Sequence, residues 1–262
     1  MKKNIFKDKT SRQEKKFFTI IIPCFNGQDF IMRSVKSVLD QSFHDFELIV
    51  VNDGSTDNSL TIIKSLGNQD SRISIVHHKK NRGLSAARNS GLDRAGGQYV
   101  TFLDCDDSWP KEKLKTYAYI LQQGHDLVYS AYDVIDNNNN KTIRSVKVPP
   151  TLSYDDLMYS NYIPVSSAAY NFEKIPHIRF KSLQMSEDWV FWLEAIRYLN
   201  KPIGIQESLM FYYVHNFNMS ANKLIMIKRA WQIFRTEQQF SFLRSSYGMV
   251  RYGYSKLKRY YL

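Results

Sequence analysis

Gln98-Tyr99-Val100-Thr101-Phe102-Leu103-Asp104-Cys105-Asp106-Asp107-Ser108-Trp109 is an apolar run that opens directly into three carboxylates. Tyr99, Val100, Phe102 and Leu103 have the β-branched and aromatic bias of a buried strand. Asp104, Asp106 and Asp107 then crowd negative charge at that strand's end, where repulsion and desolvation are costly. A hard divalent cation relieves that cost, and Asp-x-Asp at a strand's carboxyl edge suits Mg²⁺ or Mn²⁺ held jointly with phosphates. A solvated acidic turn is the alternative, since Asp is a common turn residue. This window alone does not decide between them.

Upstream, strands and helices alternate. Phe17 to Ile22 is an apolar run stopped by Pro23 and reads as a buried strand. Ile31, Val35, Val38 and Leu39 then recur at helical spacing. Phe46 to Val51 is a second strand, ending in Asn52-Asp53-Gly54-Ser55-Thr56-Asp57, whose last three residues can cap a helix over Leu60–Leu66. A short strand at Arg72–His77 follows, then the turn Asn81-Arg82-Gly83. The next helix has a narrow inner face of Leu84, Ala87, Gly91, Leu92 and Ala95, so it should lie close against the sheet. Three successive β-α units predict a doubly wound, mostly parallel sheet of the α/β class. Ligands bind beyond the carboxyl ends of such strands, where every unusual polar cluster of this chain falls.

The second half is less regular. A helix is expected over Lys111–Leu121, strands over Leu127–Ile135, Ser166–Phe172 and Ile203–Val214, and a helix from about Glu187 to Leu199. Asn137 to Asn140 reads as a polar hairpin tip.

The 262 residues carry a net charge of +11 and are 43% hydrophobic. From Lys223 onward there are nine bases against one acid, Glu237, so a charge of +8 sits in the last 40 residues, interleaved with aromatics. Such a helical tail suits an anionic membrane surface, a polyphosphate or nucleic acid, or simply a solvated face. No apolar run is long enough for a membrane span, and Met1–Lys16 lacks the apolar core of a secretory signal. Two cysteines, Cys24 and Cys105, are too few for a disulfide framework. A cytoplasmic protein is the expectation.

Five segments together give the chain a family resemblance: Ile20-Ile21-Ile22-Pro23-Cys24-Phe25-Asn26, Val51 to Asp57, Asn81 to Asn89, Leu103 to Asp107, and Ser186-Glu187-Asp188-Trp189. In this order and spacing the chain resembles the family-2 glycosyltransferases of the GT-A fold over roughly residues 17–220. The resemblance implies a catalytic domain at 17–222, with a Rossmann-like nucleotide-sugar-binding half at 17–107 and an acceptor half at 108–222. It would be flanked by a basic extension at 1–16 and the basic tail at 223–262. It also implies inverting transfer of one sugar from a nucleotide sugar, usually a UDP-sugar, to a glycan or lipid-linked glycan of the bacterial surface-polysaccharide type.

By motif, Pro23, Cys24, Phe25 and Asn26 would contact the nucleoside, and Asp53 would accept from the uracil N3–H, unless it only caps the strand end through an Asx turn. Arg82 and Arg88 would lie toward the diphosphate, an Arg fork suiting phosphate oxygens, although Arg88 could equally form a surface salt bridge. Asp104 would sit near the ribose and Asp106 on the Mn²⁺ or Mg²⁺. Asp107 would be a second ligand or an orienter of the first. Asp188 would take the acceptor proton, with Glu187 contacting the acceptor or bracing the loop; Ser186 as N-cap with acids in the first turn would explain the same residues structurally. His215 could reach the metal or the diphosphate. The processive synthases' Gln-x-x-Arg-Trp signature is absent, which points to single-sugar addition.

Two other classes fit the sequence less well. A haloacid-dehalogenase-like phosphatase uses Asp-x-Asp on its first strand, whereas here the motif is on the fourth. A basic nucleic-acid-binding protein would rest on the tail alone, and no nucleic-acid-binding motif accompanies it.

Overall fold

Strand β1 (Phe18–Cys24) is buried along its whole length, as a strand covered on both faces must be. In the computed structural model, which describes residues 15–183, 186–214 and 223–261, β1 is flanked in parallel by β2 (Phe46–Asn52) and β4 (Tyr99–Phe102). Strand β3 (Ile73–His77) continues in parallel beyond β2. The crossovers are α1 (Ile31–Leu39), α2 (Ser59–Gln69) and α3 (Leu84–Leu92).

Beyond β4 the direction changes. Strand β7 (Ala168–Asn171) is antiparallel to both β4 and β5 (Leu127–Asp136). The order is β3-β2-β1-β4-β7-β5-β6, with β6 (Thr142–Val146) antiparallel to β5 and β8 (Ile203–Val214) parallel to it. The expected mostly parallel α/β sheet is therefore present, with antiparallel pairing confined to its second half. The run expected as one strand over Ser166–Phe172 is shorter, because Ser167 N–H turns back onto Pro164 O in a 3₁₀ turn and a second such turn starts at Phe172.

Alternation along the strands sorts the core into two layers. Ile21, Ile49, Val51, Val100 and Phe102 face the side covered by α3 and by α6 (Glu187–Ala195). Phe18, Ile20, Ile22, Leu48 and Val50 face the side covered by α1, α2 and α4 (Lys113–Gln122). The narrow face of α3 does bring it close: a Cβ on Gly91 would lie 2.4 Å from Ile21 Cγ2, so only glycine fits there.

The C-terminal segment is helical. Helix α7 (Lys223–Gln232) runs through a π-turn at Ile233–Glu237, and α8 (Phe242–Tyr261) follows. One face of it joins the first core layer: Phe234 is fully buried, and the Tyr252 ring stacks on Trp189 at 5.8 Å between centroids. No helix among the described residues is long and apolar enough to cross a membrane.

Candidate active site

The carboxyl ends of β1, β2 and β4 carry three loops that hold one another. From the first, Asn26 N–H donates to Ser55 Oγ at 3.0 Å, and its side-chain oxygen accepts from Thr56 N–H at 2.9 Å. Gly27 N–H donates to Ser59 Oγ, and Gln28 N–H to Asp57 Oδ2. Asp57 also accepts from Ser59 N–H and Oγ–H, so of the three predicted caps it is the one that meets the start of α2. Asn26 sits at φ 49°, the left-handed region in which Asn is tolerated best after Gly. Of the four residues expected at the nucleoside, Pro23 and Cys24 are buried in β1, while Phe25 and Asn26 are exposed.

Asp53 is 2% exposed. Its Oδ1 accepts from Arg82 N–H at 2.9 Å and pairs with His78 Nδ1 at 2.6 Å; Oδ2 accepts from Gly83 N–H at 2.8 Å. The partners lie some 25 to 30 positions along the chain, so this is not a local Asx turn. Three of about four acceptor sites on the carboxylate are used, which leaves one on Oδ2. Gly54 at φ 70° lets the 80–83 loop approach, since a Cβ there would strike Lys80 backbone carbon at 2.4 Å. His78, whose Nε2 meets Ser90 Oγ at 2.9 Å, was not anticipated.

The carboxylate loop after β4 is held by its carbonyls. Ser34 Oγ–H lies within hydrogen-bond reach of Cys105 O and Asp107 O, at 2.6 and 2.7 Å, and Arg33 Nη2 donates to Asp106 O at 2.8 Å. The Arg33 guanidinium in turn lies 3.5 Å from the centre of the Tyr213 ring. Asp104 and Asp106 are half-buried. Asp107 is 1% exposed, with burial first and then its two acidic neighbours pushing its carboxyl well above the usual range. Its Oδ1 is buried without a hydrogen-bond partner.

No group of three or more His, Cys, Asp or Glu stands ready to hold a metal among the described residues; His215 lies outside them. The described residues alone therefore offer no closed cage. Half-buried carboxylates at an open strand edge fit an Mg²⁺ or Mn²⁺ that takes one or two protein oxygens and completes its shell from phosphates. The two cysteines, remote in sequence, meet here as free thiols, their sulfurs 3.1 Å (Cys24) and 3.0 Å (Cys105) from where a Cβ on Gly27 would stand.

Arg88 is 2% exposed, so its ion pairs are buried rather than surface ones, and its fork is filled by two carboxylates: Nη2 donates to Asp104 Oδ1 at 2.7 Å and Nη1 to Glu187 Oε1 at 2.8 Å. Burial alone would disfavour the charge, but the Asp104 and Glu187 carboxylates outweigh it and leave the guanidinium pKa raised.

Beside it, Asp188 Oδ2 accepts from Asn161 Nδ2 at 2.8 Å and Oδ1 from Trp189 N–H at 2.8 Å. Burial, with the Glu187 charge second, raises the Asp188 carboxyl to about 6; Arg88 and the two hydrogen bonds oppose the rise. Ser186 does not cap α6: it sits at φ 63° with no side-chain bond to the helix. The first-turn acids instead engage Arg88 and Asn161. Sequence reading missed Asn161, Arg33 and Ser34, whose spacing carries no motif.

Residues 19–182 match the model of glycosyl transferase family 2. The chain is 30% identical over 246 residues to the putative teichuronic acid biosynthesis glycosyltransferase TuaG of Bacillus subtilis, covering 94% of this chain and 98% of that one. It is also 30% identical over 217 residues to the Escherichia coli UDP-Glc:alpha-D-GlcNAc-diphosphoundecaprenol beta-1,3-glucosyltransferase WfgD, covering 82% and 84%. Among solved structures, S. aureus TarS 1–349 in complex with UDP-GlcNAc superposes with a TM-score of 0.68 at 21% identity, over 90% of this chain and 71% of that one. The mannosyltransferase PcManGT of Pyrobaculum calidifontis, in complex with GDP-Man and Mn²⁺, gives 0.61 at 17% identity, over 87% and 66%.

Proposed function

The chain belongs to glycosyl transferase family 2, and from that premise we propose that it moves one sugar from a UDP-sugar to a hydroxyl of a lipid-linked glycan, with inversion. The observation that carries this reading is the meeting of two carboxylate motifs on Arg88, Asp104 from the donor edge and Glu187 from the helix bearing Asp188. WfgD, by its name, uses UDP-Glc and a diphosphoundecaprenol-linked acceptor, which supports the donor and acceptor classes proposed here.

In this account Phe25 offers an exposed ring to the base, and the remaining acceptor site of Asp53 takes the uracil N3–H. Arg82, exposed at the rim, is the cation that reaches the diphosphate; Arg88 is a positioning residue beneath it. Asp106 would hold the Mn²⁺ or Mg²⁺, and Asp107, turned inward, would orient that loop. The cation supplies charge neutralisation for the departing diphosphate when bound.

Asp188 then accepts the acceptor's hydroxyl proton while that oxygen bonds to the anomeric carbon. The bond to the diphosphate breaks, and its electron pair leaves with the phosphate oxygen. A carboxyl near pKa 6 is well matched to this work at neutral pH, ionised yet basic enough to pull. Glu187, anchored to Arg88, braces the base and faces the acceptor. The test is nucleotide release: purified protein with Mn²⁺, a panel of nucleotide sugars and a GlcNAc-diphosphate-lipid. Release of UDP from a UDP-sugar that depends on the lipid supports the reading; no release from any UDP-sugar opposes it.

A further inference from the structure

We infer that the outward face of α8 is a docking surface for an anionic lipid bilayer, on which the protein lies without crossing it. The inference rests on the proposed lipid-carried acceptor for its purpose, while its physical grounds are in α8 itself.

One side of α8 is used by the fold. Ser245 and Tyr252 are buried, and a Cβ on the intervening Gly248 would already lie 2.9 Å from the Phe234 ring. The opposite side is apolar and uncovered: Leu243 is 81% exposed, Val250 71%, Tyr254 62%, Leu257 58% and Tyr247 54%. These five recur at steps of four and three residues, so at about 100° per residue they share an arc of roughly 80°. A helix that merely faced water would carry its charges there. A stripe this long, exposed and continuous marks an interaction site.

Two of the charges of α8 lie beside the stripe. Arg244 and Arg251 are exposed along one flank, and Lys258 follows in the sequence at the same seven-residue step. No Asp or Glu occurs after Glu237. Arg251 is fixed in place, its Nη1 donating to Tyr247 Oη at 3.1 Å and its guanidinium lying 5.0 Å from the centre of the Tyr159 ring. At the start of the helix, Phe242 is 65% exposed and meets Trp231 edge-on at 5.4 Å, an aromatic pair suited to headgroup depth.

An apolar arc with a cationic flank and no acid is complementary to anionic headgroups over acyl chains. It is not complementary to itself. Two copies packed through this stripe would align their arginine rows with no carboxylate on either α8 to meet them, and like charges facing each other are unfavourable. The length, about 30 Å for 20 residues, lets α8 lie in the interface plane.

The experiment is flotation of the full chain with vesicles of phosphatidylcholine alone and of phosphatidylcholine with phosphatidylglycerol, at low and high salt. It compares the natural sequence with the surface variant Leu243→Ser/Val250→Ser/Leu257→Ser and with Arg244→Glu/Arg251→Glu. The natural chain should float with the anionic vesicles only and be weakened by salt. The apolar-stripe variant should partition at least about a hundredfold more weakly, and the charge variant should lose the preference for anionic lipid. Calorimetry with UDP and Mn²⁺, expected to be unchanged in both variants, reads the donor site separately, so failure of the transferase reading would appear there and not in flotation. The inference is overturned if the natural chain stays behind, if the stripe variant floats equally well, or if light scattering shows a dimer that the stripe variant dissolves while neither floats.

Discussion

Arg88 of α3 donates through Nη1 to Glu187 Oε1 at 2.8 Å, and this buried bond ties α3 to α6, the helix that carries Asp188. The same guanidinium holds Asp104 from its other arm. Arg88→Lys keeps the charge but cannot fork to both carboxylates. It should leave the protein folded and lower turnover by up to about 10²-fold through misplacement of the base. Arg88→Gln strands the buried Glu187 and the half-buried Asp104 carboxylates and should cost about 3–5 kcal/mol. Thermal melting and single-turnover rates on both variants separate the two effects.

Donor binding should depend on the strand-end loops. Asp53→Ala removes the acceptor for Arg82 N–H, Gly83 N–H and His78 together. UDP affinity should fall by about 1–3 kcal/mol, read by calorimetry, with far-ultraviolet circular dichroism unchanged.

Asp106→Ala should abolish the dependence of UDP binding on Mn²⁺ or Mg²⁺. The natural chain should bind UDP more tightly with the cation than in EDTA, and the variant should bind equally in both. Equal affinities in the natural chain would oppose a metal held at this loop.

Gly91→Ala forces a methyl group to 2.4 Å from Ile21 Cγ2, on a helix packed against the central strand. The expected loss is about 1–3 kcal/mol, seen as a lower urea midpoint. A neutral result would mean that α3 lies further from β1.

The first hundred residues were legible because their signals are local. Unbroken apolar strands, helical spacing and polar clusters at one edge of the sheet all follow from short-range chemistry. The second half was harder, since β7 is only four residues, framed by 3₁₀ turns whose hydrogen bonds no pattern announces. Within the site, the carboxylates were visible but what they do to each other was not. Arg88 reads as a cation for the diphosphate or for a surface salt bridge, and its burial between Asp104 and Glu187 shows only in the fold. Ser186 reads as an N-cap, yet its left-handed backbone directs the chain so that Glu187 and Asp188 meet Arg88 and Asn161. Asn161, Ser34 and Arg33 act through contacts between distant segments, and single-sequence spacing holds no trace of those. The tail's two faces were likewise hidden in composition, which counts bases and aromatics without sorting buried Tyr252 from exposed Tyr254.

The general-base role proposed for Asp188 is tested most directly by the pH dependence of turnover in the natural chain and in Asp188→Asn. The base works ionised, and its folded pKa is raised to about 6, so kcat/KM should fall as pH drops below about 6 and level off above it. Asp188→Asn should lower turnover by about 10²- to 10⁴-fold with UDP affinity nearly unchanged, and the acid limb should disappear. Near-natural turnover and the same acid limb in Asp188→Asn, with both lost in Glu187→Gln, would contradict this role for Asp188.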